Sequence, residues 1–221
     1  NSAQNAELKS QNGPLTLTVQ LSGGDEGSNM IYSSSLVVER EGNVEISGGD
    51  AYLKSASVTA RRDDVSISGG HVFVGRNFSD TSASTLDAAG KIDVAGATVS
   101  IKDNTSIDSV DGAVSITASG SDTAASDGTT SALSVKGGNV SSRRGDVKIA
   151  AENGTAALAD VEVNGDNASV TGKNVDVSGK SVTGTQSVEI AGTESTTISN
   201  VDVSGSGTAS LGTSTGATEI S

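Results

Sequence analysis

The sequence predicts an all-β protein built as a parallel β-helix, a single-stranded solenoid in which each coil of the chain stacks on the coil before it. Three observations predict this fold. A short phrase with two β-forming residues recurs along the chain, and five of its seven intervals span 20 to 22 residues. Aromatic residues make up only 2% of the chain, which suits a narrow interior. The 28 Gly residues supply the turns that many short strands require.

The repeated phrase is a turn residue followed by two β-forming residues on either side of a polar one, as in Val44-Glu45-Ile46. Counted between the first apolar residues, successive copies are 21, 27, 22, 33, 21, 20 and 21 residues apart. The two long intervals predict insertions near residues 76–90 and 118–132, where the chain is most polar. The copies lie at residues 42–46, 63–67, 90–94, 112–116, 145–149, 167–170, 186–190 and 208–211.

Each repeat also contains two further short strands, centred in the first repeat on Leu53 and Val58. A short strand with one apolar face is unstable by itself. Stacked on its copy in the next coil, it gains a parallel ladder of backbone hydrogen bonds at a spacing of about 4.8 Å. We therefore predict three short strands per coil of roughly 20 residues, and about eight or nine coils. No window has the apolar spacing of an amphipathic helix.

The N-terminal part of the chain is less regular than the rest. Leu15 and Leu17 alternate with polar residues as in a half-buried strand, and a glycine-rich segment follows at residues 23–27. We expect residues 1–35 to form an early coil or cap with an inserted loop. Residues 36–221 are expected to form the regular β-helix repeats.

Charge and composition exclude several classes of function. The formal net charge is −13, so the chain lacks the basic stripe that nucleic acids require. An anionic membrane surface is disfavoured for the same reason, and no apolar run is long enough for a transmembrane helix. The absence of Cys removes disulfides and thiolate metal sites. The chain starts with neither Met nor a signal sequence, so we expect a mature product or an excised piece.

Three segments, at residues 48–58, 90–99 and 172–182, resemble the repeats of the filamentous-haemagglutinin-like exoproteins of bacterial two-partner secretion. That family includes large adhesins and contact-dependent inhibition proteins. The resemblance covers residues 36–221. It lies in the residue pattern of the repeats, and autotransporter passenger domains share that pattern. It implies a right-handed β-helical shaft that is secreted across an outer membrane. Pro14 does not match the Asn-Pro-Asn motif of the family's secretion domain, so the resemblance implies an interior repeat region.

The resemblance also implies a function and partners. It implies a structural and adhesive segment of a secreted bacterial surface adhesin, which mediates attachment to cells or matrix and is not an enzyme. The implied partners are a host-cell receptor, glycan or matrix component and, for the parent protein, an outer-membrane secretion partner. We expect no nucleic acid, no transmembrane segment and no cofactor.

The most specific short motif is Arg144-Gly145-Asp146. On an exposed turn, this motif offers a cation and a carboxylate to an integrin-type receptor, and the Asp completes a metal site on the partner. The same residues also fit a structural role, because Gly145 and Asp146 stand at the turn position of the repeated phrase. Both interpretations stay open at the level of sequence.

Five asparagines stand in the Asn-x-Ser/Thr pattern of N-glycosylation. Some high-molecular-weight adhesins of the family are glycosylated at such sites. The chain is rich enough in Asn, Ser and Thr for chance to account equally well for the pattern. The candidates are Asn77, Asn104, Asn139, Asn153 and Asn167.

The alternative function is an autotransporter passenger β-helix domain or a carbohydrate-active, pectin-lyase-like domain, because parallel β-helices also house pectin-cleaving enzymes. Asp63-Asp64 and His71 superficially resemble the paired Asp and Gly-His-Gly elements of those enzymes. Asp64 and His71 are only seven residues apart, however, whereas stacking on neighbouring coils needs about one period. His71 is the only histidine, and no Cys accompanies it, so a metal site is not expected. We therefore predict no catalytic residue and no metal ligand.

Overall fold

The computed structural model describes residues 2–4, 6–18, 28–76, 81–124 and 130–221, and these residues form an all-β structure without helices. The prediction of an all-β protein is thereby confirmed. The N-terminal strands are β1 (Ser2–Gln4), β2 (Glu7–Ser10), β3 (Leu15–Thr18), β4 (Ser28–Tyr32), β5 (Ser35–Val38), β6 (Val44–Ser47), β7 (Asp50–Lys54) and β8 (Ser57–Ala60). The central strands are β9 (Val65–Gly75), β10 (Thr85–Ala88), β11 (Ile92–Ile101), β12 (Ser106–Ser109), β13 (Val114–Ala118), β14 (Thr123–Ala124), β15 (Thr130–Ser131), β16 (Leu133–Lys136) and β17 (Asn139–Ser142). The C-terminal strands are β18 (Val147–Ala159), β19 (Glu162–Ser178), β20 (Ser181–Ser199), β21 (Asp202–Gly205), β22 (Thr208–Thr213) and β23 (Ala217–Ile220).

The strands pair in parallel along three columns and together form a sheet of 21 strands. The predicted many-stranded parallel sheet is confirmed. The first column contains the repeated phrase and runs through β3, β6, β9, β11, β13, β18, β19, β20 and β22. The second column runs through β1, β4, β7, β9, β11, β16, β18, β19, β20 and β23. The third column runs through β2, β5, β8, β10, β12, β17, β19, β20 and β21. The prediction of three separate short strands per repeat is wrong for the C-terminal repeats, where β19 and β20 are 17 and 19 residues long and each runs through all three columns. Their ladders continue through the corners between columns, so the chain there stays extended.

The register joins the repeated phrases residue by residue. Val114 pairs with Ile92 in the preceding repeat and with Val147 in the following one, although 22 and 33 residues separate them in the chain. The two weakest copies also pair in register, because Ala168 and Ala209 both lie beside Val188. The extra residues of the long intervals are therefore accommodated outside the parallel ladders.

The inward residues of all three columns belong to one hydrophobic core. Val114 in the first column, Ile101 in the second and Ile107 in the third are all completely buried. Successive residues of a strand point to opposite faces, so the positions between these aliphatic residues face outward and are mostly polar. Each fully buried Val or Ile stabilises the fold by about 1.5–3 kcal/mol relative to an exposed one. The stack therefore needs no aromatic interior.

Both sets of extra residues lie between strands of the parallel sheet. The first lies between β9 and β10, where residues 77–80 are outside the described ranges. The second contains β14 and β15, which pair with each other in an antiparallel sense, separately from the parallel sheet. Asp122 anchors this hairpin, because its Oδ1 atom accepts a hydrogen bond from the Ala132 backbone N–H at 3.0 Å and its Oδ2 atom accepts one from the Thr155 hydroxyl at 2.7 Å.

The parallel pairing extends into the N-terminal 35 residues. Strands β1, β2 and β3 pair with β4, β5 and β6, respectively, and so join the second, third and first columns. The glycine-rich segment 23–27, where we expect an inserted loop, lies outside the described residues. At the opposite end, the inward position of β23 is uncovered, and Ile220 is 60% exposed.

Candidate functional site

The Arg-Gly-Asp motif lies on an exposed bend between β17 and β18, at the corner where the chain leaves the third column and enters the first. Arg144 donates a hydrogen bond through Nη1 to Asp111 Oδ1, at 2.8 Å, and the two side chains are 76% and 56% exposed. Asp111 occupies the equivalent bend of the preceding repeat. An ion pair this exposed contributes at most about 1 kcal/mol. The guanidinium of Arg144 is thus accessible but directed along the stack.

The carboxylate of the motif is bonded to the following repeat. Asp146 Oδ1 accepts hydrogen bonds from the backbone N–H of Asn167 at 3.1 Å and from its side-chain amide at 2.8 Å. Two other corners have the same arrangement. Asn43 Oδ1 accepts a hydrogen bond from the backbone N–H of Asp64 at 3.2 Å, and Asp64 Oδ1 accepts one from the backbone N–H of Lys91 at 2.6 Å.

We call the set of these three corner acceptors, Asn43, Asp64 and Asp146, the Asx corner. Each is the residue immediately before the first apolar residue of the repeated phrase. Each satisfies a backbone N–H in the next repeat that lies beside the end of a ladder, where a strand partner is missing. The Asp of the Arg-Gly-Asp motif therefore occupies a position whose role elsewhere in the chain is structural.

Gly145 is required at this corner because the backbone of the preceding repeat lies close to it. A Cβ atom at this position would come within 2.6 Å of Gly112 O and 2.7 Å of Gly112 C. These are backbone atoms that cannot move aside without distorting the ladder. All three residues of the motif thus contact neighbouring repeats. A receptor that used both charged groups would have to replace the Asp111 and Asn167 contacts.

The candidate glycosylation asparagines differ in how their side-chain amides are used. The Nδ2 atoms of Asn139, Asn153 and Asn167 donate to Asp108 Oδ1 at 2.7 Å, to Ser119 O at 2.8 Å and to Asp146 Oδ1 at 2.8 Å, respectively. In each case the nitrogen that would carry a sugar binds a residue of the preceding repeat. Asn104 lies in an exposed turn after β11 with a φ of 61°. Asn77 lies outside the described residues.

The residues that superficially resemble pectin-cleaving enzymes have structural roles. Asp63 Oδ2 accepts a hydrogen bond from the Gly42 backbone N–H at 2.6 Å, and Asp64 is part of the Asx corner. Both lie just before the first-column part of β9, whereas His71 lies in its second-column part. The backbone N–H of His71 donates to Asp50 Oδ1 at 2.8 Å, and its Nδ1 atom contacts the Thr98 hydroxyl.

A group of aromatic residues on the outer face of the second column is not indicated by any of the motifs. We call Met30, Tyr32, Tyr52, Lys54 and Phe73 the outer aromatic patch. Met30 pairs with Tyr52, and Tyr52 pairs with Phe73, in three successive repeats. The Lys54 ammonium lies 5.5 Å from the ring centroids of Tyr32 and Phe73 and 5.9 Å from that of Tyr52. Spacing is the only sign of this patch in the sequence, because Met30, Tyr52 and Phe73 are 22 and 21 residues apart.

A second charged group joins three repeats of the third column. The Glu39 carboxylate pairs with Lys9 Nζ in the preceding repeat and with Arg61 Nε in the following one, each at 2.7 Å. The hydrogen bond from Lys9 is the main cause that lowers the pKa of Glu39 below its ordinary value of 4.5. The charges of Arg61 and Lys9 act in the same direction, and desolvation opposes them. The group is an inter-repeat clamp on the surface.

The described ranges contain neither a metal-binding cluster nor a membrane-spanning helix. No group of three or more His, Cys, Asp or Glu side chains there could hold a metal ion. No helix in the described part of the chain is long and apolar enough to cross a bilayer. No protein-family model matches the chain, and no curated protein and no solved structure matches it.

Proposed function

We propose that this chain is a structural and adhesive shaft segment of a secreted bacterial surface adhesin, wound as a right-handed parallel β-helix. In this proposal each coil contributes one extended segment to each of the three columns. The first column has nine strands. At a strand spacing of about 4.8 Å, the shaft is roughly 40 Å long. The sequence resemblance to filamentous-haemagglutinin-like exoproteins supports the bacterial surface location.

The bonding between successive repeats is the observation that carries the proposal. Backbone ladders connect the repeats in all three columns, and side chains add further bonds inside and outside the core. The buried hydroxyl of Ser142 donates to Gly112 O at 2.7 Å, one repeat earlier. The backbone N–H of Ala56 donates to the buried hydroxyl of Ser84 at 3.0 Å, one repeat later. No buried side-chain nitrogen or oxygen in the described residues lacks a hydrogen-bond partner.

These bonds favour a mechanical role. A rod held by many backbone hydrogen bonds along its axis resists bending without a wide core, and each repeat depends only on its neighbours. The net charge of −13 and the Ser- and Thr-rich surface keep such a rod soluble at high local density. A smooth acidic shaft favours an adhesive or spacer function over catalysis, which needs charged groups gathered in a cleft.

Attachment to surfaces coated with the purified 221-residue chain tests this proposal. Epithelial cells and immobilised matrix components should adhere more strongly to the coated surface than to an albumin-coated one. The same preparation should release no new reducing ends or unsaturated products from pectin and other acidic polysaccharides. Heat-denatured chain at equal coating density is the control.

Two results would contradict the proposal. Attachment no stronger than to albumin, with circular dichroism showing a folded β protein, would remove the adhesive function. Turnover of an acidic polysaccharide that is lost on denaturation would instead support the carbohydrate-active alternative.

A further inference from the structure

The outer aromatic patch is a local feature of the shaft surface. The chain contains two Tyr, two Phe and no Trp, and both Tyr residues and one Phe lie in this patch. Further along the same outward row, the positions that pair in register are occupied by Ser100, Asp176 and Thr197. The column therefore does not need aromatic residues at outward positions. A cluster of partly exposed aromatic residues on an otherwise polar surface is typical of binding sites.

The three rings of the patch lie close together, around the Lys54 ammonium, on the outer face of the second column. Tyr52 and Phe73 lie on adjacent strands, about 4.8 Å apart, and Tyr32 lies in the next row. Gly75 gives the Phe73 ring its room, because a Cβ atom at Gly75 would be 2.9 Å from Phe73 Cζ. The three rings are half-buried, so neighbouring atoms hold them in place while part of each ring stays exposed to solvent.

Polar groups flank the three rings of the outer aromatic patch. The Lys54 ammonium lies among the three rings and supplies hydrogen-bond donors. The Asp50 carboxylate supplies acceptors and fixes the patch, because Oδ2 accepts a hydrogen bond from the Tyr52 hydroxyl at 3.2 Å and Oδ1 accepts one from the His71 backbone N–H at 2.8 Å. The patch thus combines aromatic faces with one cation and one anion.

We propose that the outer aromatic patch binds a neutral oligosaccharide, an inference that rests on the proposed adhesive function and gives it a ligand class. A pyranose ring has an apolar C–H face, which packs on the electron-rich faces of Tyr52 and Phe73. Its hydroxyls accept hydrogen bonds from Lys54 and donate to Asp50. Sugar hydroxyls use both kinds of group, whereas a purely apolar ligand would leave both charges unpaired.

Charge and size narrow the class of ligand. Lys54 and Asp50 balance each other, and the chain as a whole carries −13, so a polyanionic glycan is repelled. A stable protein partner would bury about 800 Å² on each side, which three half-buried rings and two polar side chains do not supply. A short neutral sugar chain lying across adjacent strands fits both conditions.

Tyrosine fluorescence provides a direct assay, because the only two Tyr residues lie in the patch and the chain has no Trp. The intact chain would be titrated with cello-, chito-, malto- and galacto-oligosaccharides, and with oligogalacturonate as the acidic comparison. We expect a saturable change in emission with at least one neutral series and a weaker response to oligogalacturonate. No response to any neutral series, or tighter binding of oligogalacturonate, would overturn the inference.

Substitutions at outward positions then test whether the oligosaccharide binds at the patch. Phe73→Ser should weaken the affinity about tenfold, and Lys54→Met, which keeps the apolar stem, should weaken it several-fold. Thr197→Ser, in the same outward row but far along the shaft, should bind as the unchanged chain does. Circular dichroism checks that each variant is folded. Unchanged affinity in folded Phe73→Ser and Lys54→Met would overturn the inference.

The attachment assay separates this inference from the proposed function. If cells attach to the unchanged chain and equally to a folded Phe73→Ser variant, the adhesive proposal stands and the patch is not its glycan site. If the sugar binds and Phe73→Ser abolishes that binding while the unchanged chain attaches no cells, the glycan site stands and the adhesive proposal fails.

Discussion

Asp146 and Asn167, which are 21 residues apart in the chain, are joined by two hydrogen bonds, since both the backbone N–H and the side-chain amide of Asn167 donate to Asp146 Oδ1. This relationship changes the interpretation of the Arg-Gly-Asp motif. Its carboxylate connects two repeats, as Asn43 and Asp64 do at equivalent corners. The Asp of the motif therefore has a structural role at this corner, whether or not a receptor also binds it.

Two substitutions at Asp146 separate the structural role from receptor binding. Asp146→Ala removes the acceptor and should lower the free energy of unfolding by about 1–2 kcal/mol, because two donors of Asn167 lose their partner. Asp146→Asn keeps an acceptor oxygen, as Asn43 does, and should stay within about 0.5 kcal/mol of the unchanged chain. Urea denaturation, followed by circular dichroism, measures the free energy of unfolding of both variants. Cell attachment should be unaffected by Asp146→Asn. Loss of attachment in a stable Asp146→Asn variant would show that a receptor binds the carboxylate.

Gly145→Ala should destabilise the chain by about 1–3 kcal/mol, because the added Cβ meets backbone atoms of Gly112. Gly205→Ala is the matched control. There the nearest atom to an added Cβ is 3.4 Å away, which is an ordinary contact. Thermal unfolding should separate the two variants by several degrees. Equal melting temperatures would mean that the corner is not packed as tightly as we describe.

An engineered disulfide tests the register across the longest interval. Ser115 and Lys148 are 33 residues apart but pair across β13 and β18. The chain has no Cys, so Ser115→Cys with Lys148→Cys introduces the only two thiols. We expect them to form an intramolecular disulfide under mild oxidation, because paired Cα atoms lie within the range that a disulfide spans. Ser115→Cys with Thr171→Cys, which are not direct partners, is the control, and equal yields would contradict the register.

Glu39→Gln should be less stable than the unchanged chain at neutral pH, because it loses the ion pairs with Lys9 and Arg61. The folded pKa of Glu39 is lowered from 4.5, so its carboxylate stabilises the fold above pH 4.5. That contribution is lost as the pH falls through the lower folded pKa. The difference in melting temperature between the two chains should therefore shrink on acidification, and also at high salt, since the group lies at the surface. A difference that stays constant with pH and salt would assign the effect to packing.

Much of the fold could be predicted from the sequence because each repeat obeys the same local rules. Alternation identified Val114 and Val147 as inward residues, and counting between phrases placed them in register across 33 residues. Even Ala168 and Ala209, in the weakest copies, were found by spacing. Stacking makes this possible, since a one-residue slip would turn every apolar side chain of a strand outward.

The candidate site was less predictable, because its contacts join residues of different repeats. The Arg-Gly-Asp motif is apparent in the sequence, but the hydrogen bonds from Arg144 to Asp111 and from Asn167 to Asp146 depend on which side chains meet at a corner. The outer aromatic patch is harder to predict, because Tyr52 and Phe73 become neighbours only when their strands lie side by side.

The amino-acid sequence alone is enough to predict that this chain is all-β, that its strands pair in parallel and which residues face the core. Those properties follow from alternation and period, which are local along the chain. The contacts of the outward side chains become apparent only when the repeats are stacked on one another. Whether a carboxylate bonds to a neighbouring repeat, or two rings lie side by side, depends on the positions of side chains about one repeat apart. Spacing along the chain places such residues in the same row, but it does not set the geometry of their side chains.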